Sequence, residues 1–215
     1  MILFRNPKKV LVFLVAVLPL ALANCSSIGR FVESSKNPYR TKSYKEICDQ
    51  WTREARIHQG LEVELIVSAT FKSETFRRAY AQEYGKVFRL TSEETEQFIE
   101  DQLQLARQSH EFVVASFVPE KKWDEFDKPQ SMWKLYLVND RNERVEPLTV
   151  EKCKAQDATV SYFFPDVTPW KSVYIVRFPC KVPETDQPLV GENTKSITLV
   201  ITSVLGTAET HWNLK

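Results

Sequence analysis

The clearest pattern along the chain is an alternation of apolar and polar residues over positions 61–71. One face of this segment carries Leu61, Val63, Leu65, Val67, Ala69 and Phe71. A period of two is typical of a half-buried β-strand. The preceding Gln59-Gly60 pair predicts a hairpin turn, and we interpret residues 44–58 before it as extended.

The period then changes to that of helices over about 73–109. Ser73 is a candidate N-cap for a first helix, with Gly85 at its expected end. Thr91 and Glu94 have the spacing of a capping box and predict the start of a second helix. Two helices are therefore expected as an insertion among strands.

The remainder of the chain predicts short strands separated by turn residues. The candidate strands are 111–118, 131–139, 143–150, 157–164, 171–178 and 196–204. With the first hairpin this gives about eight strands. The pattern favours a mainly β domain, an antiparallel β-sandwich that is immunoglobulin-like in broad architecture, with a twisted barrel as the alternative. We expect a single domain over 44–215.

The N-terminus has a different character. Residues 1–24 contain Arg5, Lys8 and Lys9 but no acidic residue, and residues 10–23 are apolar throughout. A basic start followed by an apolar stretch of this length is typical of an export signal. The stretch is shorter than the roughly 20 residues that a membrane-spanning helix needs.

The residues at the end of the signal are Leu22-Ala23-Asn24-Cys25. They resemble a bacterial lipobox, although Asn24 departs from the usual small residue before the cysteine. The resemblance to bacterial lipoproteins implies cleavage before Cys25 and a diacylglycerol on its thiol, which would anchor the protein to a membrane.

The segment that follows is consistent with a lipid-anchored protein. Ser26 and Ser27 resemble the residues that let lipoproteins proceed to the outer membrane. Residues 25–43 are polar and fit a tether between membrane and domain. The alternative is ordinary cleavage after Ala23, which would release a secreted or periplasmic protein.

The composition of the chain limits the classes of function that we expect for it. The chain has 215 residues, 43% hydrophobic and 27% charged, which is globular composition. It carries 29 basic and 28 acidic residues. Removing the three basic residues of the signal leaves 26 basic and 28 acidic ones, a formal charge of −2. This balance gives no electrostatic reason to expect nucleic acid as a partner.

Export also bears on the cysteines, because exposed thiols tend to pair in oxidising compartments. If residues 157–164 and 171–178 form a hairpin, Cys153 and Cys180 fall nearly opposite each other, which predicts a disulfide between them. Cys48 is then either buried and unreactive, or paired with Cys25 in a protein without the lipid.

Few residues suggest catalysis or metal binding. The three histidines, His58, His110 and His211, lack metal-ligand spacing, and no nucleophile motif is present, so no metal, cofactor or catalytic residue is predicted. The acids that follow Trp123, at positions 124, 125 and 127, are interpreted as a solvated turn.

The tryptophans give the best indication of binding. Trp133 shares the parity of a predicted strand and is expected in the core. Trp123 and Trp170 lie in predicted loops beside charged residues. They are candidate contacts for another envelope protein or a glycan, and the alternative is that they cap the ends of the sandwich.

Three hypotheses for the function follow. The first is a non-enzymatic binding or structural lipoprotein of the cell envelope. The second is an exported hydrolase whose site is assembled from residues distant in sequence, and the third is a secreted soluble binding protein. A concave pocket that collects His58 or His110 with acids would favour the enzyme. An exposed aromatic patch at Trp123 and Trp170 would favour binding.

Overall fold

The computed structural model describes residues 40–153, 158–183 and 185–215. The predicted signal peptide, Cys25 and almost all of the predicted tether lie outside the described residues. The described α-helices are α1 Lys42–Trp51, α2 Glu74–Phe88, α3 Ser92–Gln108 and α4 Ala158–Phe163. The described strands are β1 Thr52–Gln59, β2 Glu62–Phe71, β3 Ser109–Phe117, β4 Lys134–Asn139, β5 Arg144–Val145, β6 Thr149–Cys153, β7 Ser172–Pro179, β8 Ser196–Ser203 and β9 Gly206–Asn213.

The strands form two antiparallel sheets. The larger sheet has the order β1-β2-β3-β7-β6, and the smaller has the order β5-β4-β8-β9. The mainly β, antiparallel character predicted from the sequence is confirmed. The described strands remain two sheets and do not close into a barrel.

The larger sheet buries both of its faces. On one face Phe112 of β3 packs against Trp212 of β9, with ring centroids 5.3 Å apart. On the opposite face Glu111 of β3 forms an ion pair with Arg77 of α2. The large sheet therefore lies between the smaller sheet and the helices, and buried polar residues such as Ser68 lie on its helix-facing side.

The first predicted hairpin is present as expected. Residues of β1 and β2 pair from Thr52↔Thr70 to Gln59↔Glu62. Gly60 in the turn has φ +62°, a conformation that glycine adopts at little steric cost. The alternating segment over 61–71 therefore does form the predicted strand, in which Leu65 is fully buried.

The two inserted helices are also confirmed, with one correction. The Ser73 side chain caps α2, and Thr91 with Glu94 forms the capping box of α3. Gly85 does not end α2, which continues to Phe88. A Cβ at Gly85 would lie 2.5 Å from Oγ1 of Thr95, so this glycine allows α2 and α3 to approach closely.

The extended interpretation of residues 44–58 is wrong in its first half. Residues Lys42–Trp51 form a helix, capped by the Thr41 side chain, and the strand begins only at Thr52. Tyr44, Cys48 and Trp51 are buried on one face of this helix. These three residues are spaced by four and by three positions, which is the period of a helix. The sequence interpretation missed this period because it extended the alternation of later residues back to residue 44.

The predicted strand 157–164 is also wrong, because residues Ala158–Phe163 form α4. Tyr44 donates a hydrogen bond from its hydroxyl to the carbonyl of Phe163 at 3.0 Å. The Phe163 ring packs edge-on against Tyr80 of α2 at 4.8 Å. Packing against the helices overrides the β propensity of this aromatic segment.

Two smaller corrections concern strand boundaries. The predicted strand 143–150 is divided into the short β5 and the later β6. Residues Gly206–Asn213 form β9, which the sequence pattern did not predict. This last strand pairs with β8 and buries Trp212 completely.

The predicted Cys153–Cys180 disulfide is not formed, because the hairpin that suggested it is absent. Cys48, Cys153 and Cys180 are free. Cys153 pairs with Val173 across β6 and β7. Cys180 lies seven residues beyond Val173, a separation of about 23 Å along an extended strand. A disulfide requires Cα atoms within about 7 Å.

The register brings distant loops together at two ends of the large sheet. We call one the hairpin end, which comprises the Gly60-Leu61 turn, the loop holding Trp170 and the Val204-Leu205 turn. Gly206, after the last of these turns, lies against Ile57 of β1. We call the other the cleft end, where Phe71, His110 and Cys180 lie.

Candidate functional site

Among the described residues, a cleft of about 630 Å³ opens at the cleft end. It lies where α2 begins, α3 ends, β3 begins and β7 ends. Its volume falls within the range of about 300–1,000 Å³ that is usual for small-molecule sites. Its apolar lining consists of Trp51, Phe71, Ala106, Pro188, Val190 and Leu214.

Aromatic packing fixes the floor of the cleft. The Phe71 ring stacks on Phe112 at 4.8 Å and meets the Trp51 ring edge-on at 5.8 Å. Trp212 donates a hydrogen bond from its indole nitrogen to the carbonyl of Trp51 at 2.8 Å. Because Trp212 and Phe112 are fully buried, this floor is built on the core of the domain.

His110 lies beside this floor and is neutral at physiological pH. Its ring meets Phe71 at 6.2 Å. Burial lowers the pKa of His110 from 6.5 to about 4, because the interior disfavours the charged imidazolium. Its Nε2 atom is buried and has no hydrogen-bond partner among the described residues.

A second buried polar atom in the wall also lacks a partner. The indole nitrogen of Trp51 makes no hydrogen bond to any described residue. An indole N–H is a donor only. Buried polar groups are normally satisfied, and leaving one unsatisfied costs about 1–3 kcal/mol. Trp51 and His110 therefore mark the part of the cleft where a ligand could make hydrogen bonds to buried nitrogens.

Behind the cleft wall lies a buried cluster of charges centred on Glu111. The Glu111 carboxylate is 2.5 Å from Nζ of Lys72 and 2.9 Å from Nε of Arg177. Nη2 of Arg77 lies 3.5 Å away, an ion pair without a hydrogen bond. Arg177 also contacts Glu151 at 2.8 Å. Three cations thus meet two carboxylates.

These neighbours determine the ionisation of Glu111. Burial alone would raise the pKa of Glu111, but the nearby Lys72, Arg77 and Arg177 outweigh it and lower the pKa below its usual value. Lys72 both belongs to this cluster and lines the cleft, and 12% of its side chain is exposed. Lys72 therefore connects the buried cations to the cleft.

Charged side chains of both signs line the cleft. They are Lys72, Arg107, Lys181 and Lys215 with Glu74 and Glu192. Helix α2 also begins at the cleft, where Ser73 caps it. The N-terminus of a helix carries a partial positive charge. Three of the lining cations are paired with acids outside the lining, and these pairs are Lys72–Glu111 at 2.5 Å, Arg107–Glu100 at 3.4 Å and Lys181–Asp186 at 2.9 Å. The charges around the cleft are therefore largely balanced.

The cysteine at the cleft end contacts a nearby backbone carbonyl. Cys180 lines the cleft, and its thiol lies 3.5 Å from the carbonyl of Arg107 at the end of α3. Burial raises the pKa of Cys180 above its usual value, so the thiol is protonated at neutral pH. The third free thiol, Cys48, is buried with its pKa raised to about 11.

The two tryptophans predicted as binding contacts have different environments. Trp123 lies in a short 3₁₀ helix and is half-buried, and its carbonyl accepts a hydrogen bond from Trp133 at 2.8 Å. Lys122 covers its ring at 4.7 Å. Trp170 is 76% exposed. Trp123 therefore caps the domain, and only Trp170 is available to a partner. Trp133 lies in the core, as predicted.

Two other large apolar side chains are exposed at the hairpin end that holds Trp170. Leu61 is fully exposed at the tip of the β1–β2 turn, and Val204 is 90% exposed at the tip of the β8–β9 turn. Loop tips of this kind are normally polar, so three large apolar side chains at one end form a candidate contact surface.

The solvated turn predicted after Trp123 is wrong for Asp124, which is buried. Its carboxylate accepts hydrogen bonds from Ser172 and Tyr174, and Nζ of Lys152 lies 3.6 Å from it. These bonds attach the 118–133 loop to the large sheet. Glu125 in the same turn is exposed, as expected.

The cleft could not be recognised from sequence spacing. Of its residues, only His110 and Cys180 attracted attention, as a candidate pocket histidine and a disulfide partner. His58 and His211 are exposed and lie away from it. The signal that was available is the helical spacing of Tyr44, Cys48 and Trp51, which would have placed the Trp51 ring against the sheet.

Two further features are absent from the described residues. No three His, Cys, Asp or Glu side chains in those ranges converge as ligands for a metal ion. Within the same part of the chain, no helix is long and apolar enough to span a bilayer.

Comparisons of the chain with protein-family models, with curated proteins and with solved structures return no match.

Proposed function

We propose that this protein is an exported, lipid-anchored binding protein of the bacterial cell envelope, with Cys25 as the anchor and the cleft as its ligand site. The single observation that carries the binding role is the cleft, in which an aromatic floor and two unsatisfied buried nitrogens occur together. Apolar walls with a few placed polar groups are the usual composition of ligand sites.

The properties of His110 support binding over hydrolysis. A general base works best with a pKa near the operating pH. Burial holds the pKa of His110 at about 4, so the ring is a weak base under envelope conditions. Glu74 and Glu192 line the same cleft, but both are exposed and neither contributes to the shift in the pKa of His110.

The proposed location rests on the N-terminal residues. The apolar run over 10–23 and the lipobox-like Leu22-Ala23-Asn24-Cys25 support export and lipidation. Ser26 and Ser27 support the outer membrane as the destination. We also propose that the two sheets form a broadly immunoglobulin-like sandwich, which the packing of Phe112 against Trp212 supports.

Mass spectrometry of the protein extracted from membranes tests both parts of this proposal. We expect the denatured protein to begin at Cys25 with a lipid adduct, and the native protein to carry an additional small molecule that denaturation releases. An unmodified chain beginning at Asn24 would contradict the anchor. Equal native and denatured masses would contradict the ligand-binding role.

A second candidate function is favoured by the exposed apolar tips of the hairpin end. Trp170, Leu61 and Val204 would contact another envelope protein or a glycan. A photoreactive amino acid at position 170 should give one discrete protein adduct in living cells if the partner is a protein. The matched control is the same amino acid at position 96, which is exposed on α3 and should give none.

A further inference from the structure

We propose that the ligand of the cleft is uncharged and consists of a hydrocarbon body with one hydroxyl or carbonyl oxygen, which accepts a hydrogen bond from the indole of Trp51. This inference rests on the proposed binding role of the cleft and specifies the chemical class of the ligand. Three features support it: the position of the two unpartnered nitrogens on the apolar side of the large sheet, the balance of the charges that line the cleft, and the apolar side chains of the lining.

The two unpartnered nitrogens lie on the apolar side of the large sheet. The rings of Trp51 and His110 both contact Phe71, with centroids 5.8 Å and 6.2 Å from it. Successive residues of a strand point to opposite faces, so Glu111 of β3 projects away from His110. Lys72 pairs with Glu111 on that other, helix-facing side. The large sheet therefore separates the two nitrogens from the cluster of charges around Glu111.

The charges that line the cleft do not favour an ionic ligand. Three of its four cations are paired with acids, and the fourth, Lys215, is exposed. The two lining acids, Glu74 and Glu192, are exposed as well. An ionised group placed against Trp51 and His110 would lose its hydration without gaining a buried counter-ion, which costs far more than burying a neutral polar group. A neutral ligand avoids this cost.

The ionisation of His110 reflects the same environment. Burial lowers the pKa of His110 to about 4, so the imidazole is neutral at physiological pH. The interior disfavours a charge on this ring because it solvates charge less well than water does. A ligand group beside Phe71 and His110 enters the same surroundings, which disfavour a charge on that group for the same reason.

The indole of Trp51 requires an acceptor oxygen. Trp51 is only 9% exposed and lines the cleft, and its indole nitrogen has no hydrogen-bond partner among the described residues. An indole N–H can only donate, so a hydroxyl or a carbonyl oxygen satisfies it. A hydroxyl also donates to the Nε2 atom of His110 when that nitrogen carries no proton. A pure hydrocarbon would leave both nitrogens without partners, which buried polar groups rarely tolerate.

The rest of the lining requires a hydrocarbon body. Phe71 belongs to the core, and Val190 and Leu214 are partly buried on the lining. Covering these side chains removes apolar surface from water, which is the dominant favourable contribution to most association. A small hydrophilic molecule such as glycerol would supply oxygens but leave this surface wet.

Nuclear magnetic resonance titration of the full mature chain, labelled with nitrogen-15, tests this proposal. The probes are 1-octanol, 2-octanone, octanoate and octyltrimethylammonium, which have chains of similar length and differ in charge. We expect both neutral probes to bind at least tenfold more tightly than both ions. The tighter of the two neutral probes identifies the preferred oxygen as a hydroxyl or a carbonyl.

The indole signals report whether the oxygen reaches its donor. The indole proton of Trp51 should move downfield when either neutral probe binds, because it gains an acceptor. The indole of Trp133 is the internal control, since it already donates to the carbonyl of Trp123 at 2.8 Å and should not move.

A substitution at Trp51 tests the same hydrogen bond. Trp51→Phe keeps an aromatic ring against Phe71 and removes the donor. It should weaken 1-octanol and 2-octanone about fivefold, which corresponds to one ordinary hydrogen bond, and leave octanoate unchanged. The matched control is Trp170→Phe, the same substitution on a residue that is exposed at the hairpin end, and it should change no affinity.

The outcomes separate this inference from the proposed function. Either ion binding as tightly as the neutral probes would overturn the uncharged ligand and leave a ligand-binding cleft. Neutral probes that bind without moving the Trp51 indole signal would overturn the acceptor oxygen. Absence of binding by all four probes would overturn the inference as a whole, while the mass measurement decides separately whether the protein holds any ligand. If Trp51→Phe does not fold, the indole signal of the natural protein decides the result.

Discussion

The two ends of the large sheet present opposite kinds of surface. The cleft end is concave and contains two buried nitrogens that have no hydrogen-bond partner among the described residues. The hairpin end projects Leu61, Val204 and Trp170 into solvent. A concave site selects a small ligand by shape and charge, whereas projecting apolar side chains suit a larger partner. One fold therefore offers two separate means of recognition.

Each end also holds a buried carboxylate, and the two are satisfied differently. Glu111 at the cleft end is surrounded by Lys72, Arg77 and Arg177. Asp124 near the hairpin end is held mainly by hydroxyl groups, with the half-exposed Lys152 as its cation. This contrast implies that the stability of the protein depends more on the charge balance around Glu111 than on that around Asp124.

The largest predicted effect tests this contrast. Glu111→Gln should lower the free energy of unfolding by about 3–5 kcal/mol, because it leaves buried cations without their counter-ion. Asp124→Asn should cost only about 1–3 kcal/mol, because the amide keeps one acceptor oxygen and loses part of a hydrogen-bond network. Urea unfolding of both variants at pH 7 provides the comparison. Equal losses would mean that the three cations near Glu111 contribute no more than hydroxyl groups do.

The next effect concerns His110 and the pH dependence of stability. The pKa of His110 is depressed in the folded state, so the unfolded chain takes up a proton first as the pH falls. Stability is complete above pH 6.5 and falls between pH 6.5 and 4. At about 1.36 kcal/mol per pH unit, the loss between pH 8 and 5 is about 2 kcal/mol.

His110→Phe keeps an aromatic ring beside Phe71 and removes this titration. We expect the variant to lose about 2 kcal/mol less than the natural protein between pH 8 and 5, measured by urea unfolding at each pH. His58→Gln is the matched control at an exposed histidine and should retain the full loss. A pH dependence unaltered in His110→Phe would contradict the burial of this imidazole.

A smaller effect tests the rigidity of the turns at the hairpin end. Gly206 has φ +136°, and a Cβ there would lie 2.8 Å from Cγ2 of Ile57. Gly206→Ala should therefore destabilise by about 2–3 kcal/mol through backbone strain and steric overlap. Gly60→Ala should cost about 1 kcal/mol, because Gly60 has a positive φ but open space around it.

Differential scanning calorimetry of the two glycine variants measures this difference. A loss in Gly206→Ala no greater than in Gly60→Ala would mean that β9 does not pack against β1 at this turn.

The elements that could be predicted from the sequence are those whose signal is local. The alternation over 61–71 and the caps at Ser73 and Thr91 depend on neighbouring residues alone, and the structure confirms them. Period and capping chemistry are properties of a short segment. Local patterns were therefore sufficient for the first hairpin and the two inserted helices.

The elements that could not be predicted depend on packing between distant residues. Residues Ala158–Phe163 read as a strand because they are aromatic and β-branched, but Phe163 packs on Tyr80 and Tyr44 of two other helices. The Cys153–Cys180 prediction failed with that strand, because it assumed the wrong partner for β7. The incorrect assignment of this one segment as a strand therefore also made the disulfide prediction wrong.

The cleft was inaccessible for the same reason. Trp51, Lys72, His110, Cys180 and Leu214 lie in separate elements, and only the register of β2, β3 and β7 brings most of them to one end of the sheet. A single residue of one of these types does not by itself indicate a binding site in a sequence. Trp170 could be predicted, because a loop tryptophan between turn residues is recognisable locally.

The smallest predicted effect is on stability at the tips of the hairpin end. Leu61→Ser, Val204→Ser and Trp170→Ser should each change the free energy of unfolding by less than about 0.5 kcal/mol, because these side chains are exposed when folded and unfolded alike. Leu65→Ala in β2, four residues after Leu61, is the matched control and should cost about 2–5 kcal/mol, since Leu65 is fully buried. Chemical unfolding measures all four variants.

These three substitutions also decide what the hairpin end contributes. If stability is unchanged and the crosslink from position 170 is lost in the Leu61 and Val204 variants, the tips act in recognition and not in folding. A loss of more than about 1 kcal/mol in any of them would mean that the side chain packs in the folded state. The hairpin end would then be part of the core, and the cleft would be the one surface of the pair left to bind.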